Sequence, residues 1–131
     1  MTEDLVARII LGVVMVVSGV LLVWSARAAA DGRIRRNQIV GIRTVSTLES
    51  DEAWIAAHRR ARGVTQWAGI AAIVSGLGAA LPVPMGVVVA GVIVGCLAML
   101  VLVLYGAVVG GRAARAATSS TEAAGRPDTS R

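Results

Sequence analysis

The chain has 131 residues, of which 56% are hydrophobic and 16% are charged, and its formal net charge is +5. Soluble domains contain about 25% charged residues, whereas the segment 63–111 of this chain contains no Asp, Glu, Lys or Arg. This composition excludes an ordinary soluble domain, and the length allows at most one domain. The single cysteine, Cys96, excludes an internal disulfide.

Three apolar segments of the chain are long enough to cross a bilayer. A hydrocarbon layer about 30 Å thick requires about 20 apolar residues of helix. Pro82, Pro84 and Gly86 interrupt the long uncharged segment, and such residues end helices. The predicted spans lie at about 5–26, 64–81 and 87–109. The sequence therefore predicts an all-α integral membrane protein with a three-helix domain over 1–111 and a disordered cytoplasmic tail over 112–131.

The distribution of arginine predicts the orientation of the spans. One side of the membrane receives Arg8 alone, close to Glu3 and Asp4, and the other arginines lie in the loop 27–63 and in the tail. Because arginine is enriched in cytoplasmic loops, we expect the N-terminus outside and the C-terminus in the cytoplasm. Topology thus accounts for the basic composition, and no nucleic-acid partner is predicted.

A cleaved signal peptide is the alternative interpretation of the first span. Ala26, Arg27 and Ala28 form a small-x-small site after an apolar segment, which is typical of a cleavage site. The leader carries two acidic residues where a signal peptide has a basic start, and export would carry the arginines of the loop outward. A retained span is therefore favoured.

Small residues recur at helical spacing in the second and third spans. They are Ala68, Ala72, Gly76 and Ala80 in one and Gly91 and Gly95 in the other. Such faces let helix backbones approach closely. Packing within the chain is favoured, and a homo-oligomer formed through these faces is the alternative. Trp24 and Trp67 lie near span ends, where indole rings anchor a helix at the headgroups.

The loop between the first two spans is predicted to contain an amphipathic cytoplasmic helix from about Leu48 to Arg62. Thr47 or Ser50 can cap it, and its acidic first turn and basic last turn match the helix dipole. Trp54 and His58 lie four residues apart and share a face. Such a helix can lie at the membrane surface.

The polar residues of the loop do not form a convincing reactive site. His58 with Asp51 and Glu52 lacks a second nitrogen or sulfur ligand for a metal, and Ser46 or Ser50 with His58 is a weak nucleophile set. Gly41 provides a position free of side-chain strain. Arg43 can hold a carboxylate, a lipid phosphate or helix-end carbonyls. We predict no catalytic, cofactor-binding or metal-binding residues, no cofactor and no enzymatic activity.

The loop residues also form an ordered pattern, N-x-x-x-G-I-R-T followed by T-L-x-S-x-E-x-W-x-x-x-H. The residues that carry it are Asn37, Gly41, Ile42, Arg43, Thr44, Thr47, Leu48, Ser50, Glu52, Trp54 and His58. This pattern resembles the signature of the SdpI family of membrane proteins. The flanking spans agree with the three-helix unit of that family, so the chain resembles a short, single-unit member.

The resemblance implies a bacterial multi-pass protein of the plasma membrane that confers immunity to a membrane-active peptide toxin. The founding member of the family has this role and also holds a cytoplasmic regulator at the membrane. The alternative function is a membrane-anchored binding or signalling module whose Arg-rich cytoplasmic loop docks a cytoplasmic protein or an anionic lipid. The expected partners are the lipid bilayer, anionic lipids, and a peptide toxin or a cytoplasmic regulator.

Overall fold

The computed structural model describes residues 2–34, 42 and 44–125. These residues form three α-helices, α1 over Thr2–Ala30, α2 over Asp51–Gly78 and α3 over Met85–Ala124. The prediction of an all-helical chain is confirmed for this part of the sequence. Two of the helices described, α1 and α3, are long and apolar enough to cross a membrane.

The middle helix, α2, packs along both of the others, whereas α1 and α3 hardly touch. The residues buried at these contacts are mostly small and include Gly19, Ala68, Gly69, Ala72, Gly76, Gly95, Gly106, Gly110 and Ala114. Large apolar side chains such as Val13 and Leu100 point outward and are more than half exposed. A water-soluble core has the opposite arrangement, and this one suits helices that are surrounded by lipid.

Two pairs of glycines set the distance between α1 and α2. A Cβ atom built on Gly69 would lie 2.6 Å from the carbonyl oxygen of Gly19, and one on Gly76 would lie 2.8 Å from that of Gly12. Neither position has room for a methyl group unless the helix backbones shift. The order of the two pairs also shows that α1 and α2 run antiparallel.

The predicted faces of small residues are buried only in part. The buried members are Ala68, Ala72, Gly76 and Gly95. Ala80 and Gly91 are exposed, although the Ser75 hydroxyl donates to the carbonyl oxygen of Gly91 at 2.9 Å. Much of the small-residue surface is thus used for packing within the chain, and the homo-oligomer stays a prediction.

The helix predicted over 48–62 and the span predicted over 64–81 form one continuous helix, α2. It begins after the N-cap Ser50, and Gly63 lies in its middle without interrupting it. No proline separates the charged half from the apolar half, so the backbone hydrogen bonds continue through the junction. The prediction of a separate surface helix that ends at Arg62 is therefore wrong.

Arginines from neighbouring helices bond to two helix ends. The last turn of α2 contains no basic residue, but Arg8 of α1 donates to the carbonyl oxygen of the C-cap residue Ala79 at 3.5 Å. It also donates to the carbonyl oxygens of Leu81, at 2.9 Å, and Val83 in the turn that follows. Arg59 of α2 donates to the carbonyl oxygen of Ala30, the last residue of α1, at 3.3 Å. The final carbonyl groups of a helix lack partners within it, and a cation near them is favourable.

The third helix continues well past residue 112, so the disorder predicted from that point is wrong for the described part of the tail. Its 40 residues are about 60 Å long, roughly twice the hydrocarbon thickness. The extension is rich in alanine, which favours helix, and it packs against the loop end of α2. Ala114 is buried against Ala57, and Thr118 donates to Glu49 at 3.0 Å.

One exposed aromatic side chain lies on each helix, and we call this set the aromatic belt. Its members are Trp24 on α1, Trp67 on α2 and Tyr105 on α3. Two contacts align the helices along the bundle axis: Gly19 faces Gly69 between α1 and α2, and Gly106 lies beside Thr65 between α2 and α3. At a rise of 1.5 Å per residue, the three aromatic residues then lie within about 5 Å of one another along that axis. Because Trp and Tyr prefer membrane–water interfaces, the belt indicates one boundary of the hydrocarbon.

Gly69→Ala is expected to destabilise the protein, because the added methyl group would press on the Gly19 backbone and separate α1 from α2. Overpacking of this kind costs about 1–3 kcal/mol. Gly63→Ala is the matched control in the same helix, since nothing lies within 4 Å of a Cβ there. The melting temperature in detergent should fall for Gly69→Ala and hold or rise for Gly63→Ala. Equal melting temperatures would contradict the glycine contact.

Candidate functional site

Trp54 fixes the chain that leaves α1. Gly32, just after the helix, has a φ of 74°, which glycine adopts without strain. The Trp54 side chain is only 1% exposed, and its indole N–H donates to the carbonyl oxygen of Ile34 at 3.0 Å. Ile34 is thereby held against the first turns of α2.

His58 holds the chain on the far side of the segment 35–41. Its Nδ1 lies 2.8 Å from the carbonyl oxygen of Trp54, and its Nε2 lies 3.0 Å from the backbone nitrogen of Ile42. A carbonyl oxygen only accepts and a backbone N–H only donates, so the imidazole is neutral and carries its proton on Nδ1. The rings of Trp54 and His58 are in contact, with centroids 4.1 Å apart.

Thr44 and Thr47 close the turn that precedes α2. The buried Thr47 hydroxyl accepts from the Thr44 N–H and donates to the Ile42 carbonyl oxygen, each at 2.9 Å. The Thr47 N–H donates in return to the Thr44 hydroxyl at 3.3 Å. Of the two predicted caps, Ser50 is the N-cap, since its hydroxyl accepts from the Ala53 N–H at 3.0 Å. Thr47 stabilises the loop instead.

The predicted motif residues thus have distinct places in the fold. Thr44, Thr47, Trp54 and His58 form one network that we call the loop anchor. Ser50 caps α2, and Glu52 is exposed in its first turn. The other predicted site residues, Asn37, Gly41 and Arg43, lie outside the described residues. The proposed acceptors of Arg43 therefore stay predictions.

The loop anchor ties both flanks of one loop segment to a single stretch of α2. Trp54 holds Ile34 and, one helical turn later, His58 holds Ile42. Both nitrogens of His58 are occupied, so this ring offers no free base in the observed state. Among the described residues, every buried side-chain nitrogen and oxygen has a hydrogen-bond partner. The network can fix the loop backbone, and a ligand must bind beside it.

Two of the open clefts in the described part of the chain lie between helices and could take a ligand. One lies between α1 and the C-terminal end of α2, next to Arg8, and has a volume of about 560 Å³. The other lies where the three helices meet the loop anchor, next to Arg62, and has a volume of about 380 Å³. We call them the outer groove and the anchor cleft. Within residues 2–34, 42 and 44–125, no three His, Cys, Asp or Glu side chains are grouped to hold a metal.

Sequence reasoning missed the contacts that join side chains to distant backbone groups. Arg8 and Arg59 entered the prediction only as charges, on opposite sides of the membrane, yet both bond to helix ends. The four-residue spacing placed Trp54 and His58 on one face, and this signal was correct. Their partners are backbone groups, which leave no mark in the sequence.

Burial lowers the pKa of His58 below its ordinary value of 6.5, although the hydrogen bond to the Trp54 carbonyl raises it. The folded protein therefore binds a proton more weakly than the unfolded chain does. The stabilisation is complete above pH 6.5 and is lost as the pH falls from 6.5 through the folded pKa. We expect the melting temperature to fall between pH 7 and about pH 5.5.

The matched control for this pH dependence is His58→Gln. His58 is the only histidine in the sequence, so the variant should melt at a lower temperature than the parent at pH 7 but show little change on acidification to about pH 5.5. A parent protein whose melting temperature is flat over this interval, or a variant that keeps the full dependence, would contradict the role of the ring.

Trp54→Phe keeps an aromatic ring in the buried position but removes the donor to Ile34. The bond to the Ile34 carbonyl is partly buried, so its loss should cost about 1 kcal/mol, the lower end of the range for buried groups, and the melting temperature should fall. Trp24→Phe is the control, because Trp24 is exposed on α1 and should change stability little. Equal losses for the two variants would argue against the hydrogen bond.

Comparison with known proteins places this region in a recognised sequence pattern. Residues 33–106 match the SdpI/YfhL protein family. The match covers more than half of the chain and includes the loop anchor, all of α2 and the first part of α3. No curated protein and no solved structure shows a significant match.

Proposed function

Because the chain belongs to the SdpI/YfhL protein family, we propose that it is an immunity protein that protects the bacterial plasma membrane against a membrane-active peptide toxin. The observation that carries the proposal is the family match over the loop anchor and α2. The family and the apolar helices α1 and α3 indicate a membrane protein. Protection of this kind requires binding and no catalysis, so the proposed role is non-enzymatic.

The proposed orientation places the loop anchor in the cytoplasm. The described arginines that are exposed at that end of the bundle are Arg27, Arg33, Arg59, Arg60, Arg62, Arg112 and Arg115. At the opposite end, Arg8 bonds to carbonyl groups of the turn between α2 and α3. Since cytoplasmic segments are enriched in arginine, the N-terminus lies outside and the C-terminus inside.

The outer groove is the proposed binding place of the toxin. Apolar side chains form most of its walls, with Ile9 and Val13 from α1 and Leu77 from α2. In the proposed orientation it faces the outer leaflet, which a secreted peptide reaches first. Close packing against the groove walls supplies the attraction for an apolar peptide face in lipid, and binding there would keep the peptide from acting on the bilayer.

The loop anchor supports this groove from the other end of the bundle. It fixes where α2 begins relative to the end of α1, and the same two helices form the groove walls. Gly12 and Gly76 line the groove, and their close contact sets its depth. A loosened anchor would therefore alter the groove through the position of α2.

The membrane potential of a sensitive bacterium, measured during challenge with a membrane-active peptide toxin, tests this function. Cells that produce the chain should keep the potential that cells without it lose. Ala80→Trp should abolish protection, because Ala80 is exposed and lines the outer groove. Val108→Trp is the control, since it adds the same side chain to an exposed position of α3 outside the groove.

The amount of each variant in the membrane is measured in the same cells. Loss of the potential despite normal amounts of the parent protein contradicts the protective role, and equal protection by the two tryptophan variants contradicts the groove. A cysteine placed at Ala116 should not react with a membrane-impermeant thiol reagent in intact cells. Reaction there would contradict the orientation.

The exposed arginines favour a second candidate function, a membrane-anchored module that docks an acidic surface of a cytoplasmic protein. Clustered cations of this kind steer an acidic partner to the surface. The double variant Arg60→Gln, Arg115→Gln separates the two candidates, because neither residue lines the outer groove. If the double variant lost protection while Ala80→Trp kept it, the arginine surface and not the outer groove would be required. That result would favour docking of a cytoplasmic protein.

A further inference from the structure

The anchor cleft combines apolar walls with one arginine. It lies where α1, α2 and α3 meet the loop, and its volume of about 380 Å³ is within the range of small-ligand sites. Leu22 of α1 and Val103 of α3 contribute apolar surface. Arg62 is the arginine among its described lining residues, and its side chain is partly exposed.

The hydrogen bonds around the cleft leave Arg62 as the strongest donor for an anion. The hydroxyls of Ser25 and Thr65 donate to backbone carbonyls of their own helices at 3.1 Å, and both nitrogens of His58 are occupied. A donating hydroxyl keeps lone pairs that can accept a hydrogen bond. The third lining hydroxyl, that of Thr44, belongs to the loop anchor and accepts from the Thr47 N–H. The cleft thus offers one cationic donor and the hydroxyl acceptors of Ser25 and Thr65.

Along the bundle axis, the cleft lies at the level of the aromatic belt, which indicates the edge of the hydrocarbon. Ser25 follows Trp24, and Thr65 lies two residues from Trp67. On the third helix, the lining residue Val103 lies two residues from Tyr105. The aromatic belt therefore surrounds the cleft, and a ligand there can reach both lipid chains and headgroups.

The charge around the cleft selects an anionic ligand. Exposed arginines at this end of the bundle come from all three helices, among them Arg27, Arg59 and Arg112. A basic cluster at a membrane surface attracts anionic lipid to this end of the bundle, and a specific site must then hold it. An amphiphile with a negative headgroup fits both the charge and the depth.

We propose that the anchor cleft binds one anionic phospholipid, with its phosphate on Arg62 and an acyl chain along Leu22 and Val103. The planar guanidinium can donate to two phosphate oxygens at once. The hydroxyls of Ser25 and Thr65 can accept from a headgroup that carries hydroxyls, such as glycerol. This inference goes beyond the proposed immunity function and does not depend on a toxin.

Asp31 regulates the occupancy of this site. Its carboxylate lies 3.5 Å from Arg62, and both side chains are partly exposed. The carboxylate and the lipid phosphate compete for the same guanidinium. Removal of the carboxylate charge by Asp31→Asn should therefore strengthen lipid binding, whereas Arg62→Gln should weaken it.

Native mass spectrometry of the full-length chain in detergent tests the site, with phosphatidylglycerol or phosphatidylcholine added at equal concentration. The parent should retain one phosphatidylglycerol in preference to phosphatidylcholine. Arg62→Gln should weaken this binding about tenfold, the loss expected for one charge-assisted pair. Ala107→Trp, which fills the cleft from α3, should also weaken it, and Asp31→Asn should strengthen it.

The matched control is Arg60→Gln, which removes an equal charge two residues away and outside the cleft. It should bind phosphatidylglycerol nearly as well as the parent. Equal losses for Arg60→Gln and Arg62→Gln would overturn the proposal in favour of diffuse surface attraction. The proposal would also be overturned if the parent showed no preference for the anionic lipid. It would likewise be overturned if Ala107→Trp melted like the parent and still bound phosphatidylglycerol normally.

Discussion

The loop end of the structure depends on the imidazole of His58. This ring is hydrogen-bonded to the carbonyl oxygen of Trp54 and to the N–H of Ile42. Both bonds form only when the ring is neutral with its proton on Nδ1. The indole of Trp54 holds Ile34 in the same way. Closing a loop costs chain entropy, and these bonds, which are buried or partly buried, offset that cost. They leave α2 in a defined place beside the end of α1.

The helix contacts extend this order through the rest of the bundle. Apolar helices gain little from burial when lipid already surrounds them, so close packing and hydrogen bonds have to supply the attraction. Gly19 and Gly69 allow the backbones to meet, and Arg8 satisfies carbonyl groups that lipid cannot. The large apolar side chains stay on the outside of the bundle, where they face lipid. The outer groove and the anchor cleft are two openings that this packing leaves, one toward each end of the described bundle.

Sequence reasoning could predict the features that rest on composition and local spacing. The uncharged segments and the Pro82–Gly86 cluster predicted three apolar helical segments, and the loop pattern from Asn37 to His58 identified the family. It failed where a tertiary contact decides the outcome. The alanine-rich α3 extension favours helix, and its contact with α2 through Ala114 is not visible in the sequence. The continuation of α2 through Gly63 was missed for another reason, because the sequence prediction treats a single glycine as a boundary although no proline follows it within the helix. The partners of the loop anchor are backbone groups, and spacing alone does not reveal them.

The most direct test of this account is the protonation of the His58 ring, measured by nitrogen-15 NMR of the full chain in detergent or bilayers at neutral pH. The sequence contains one histidine, so the two ring nitrogens are observed without ambiguity. The account predicts a neutral imidazole with the proton on Nδ1 and a hydrogen-bonded, unprotonated Nε2. A ring protonated on Nε2, or a charged ring, is incompatible with the bond from Ile42 and would contradict the loop anchor.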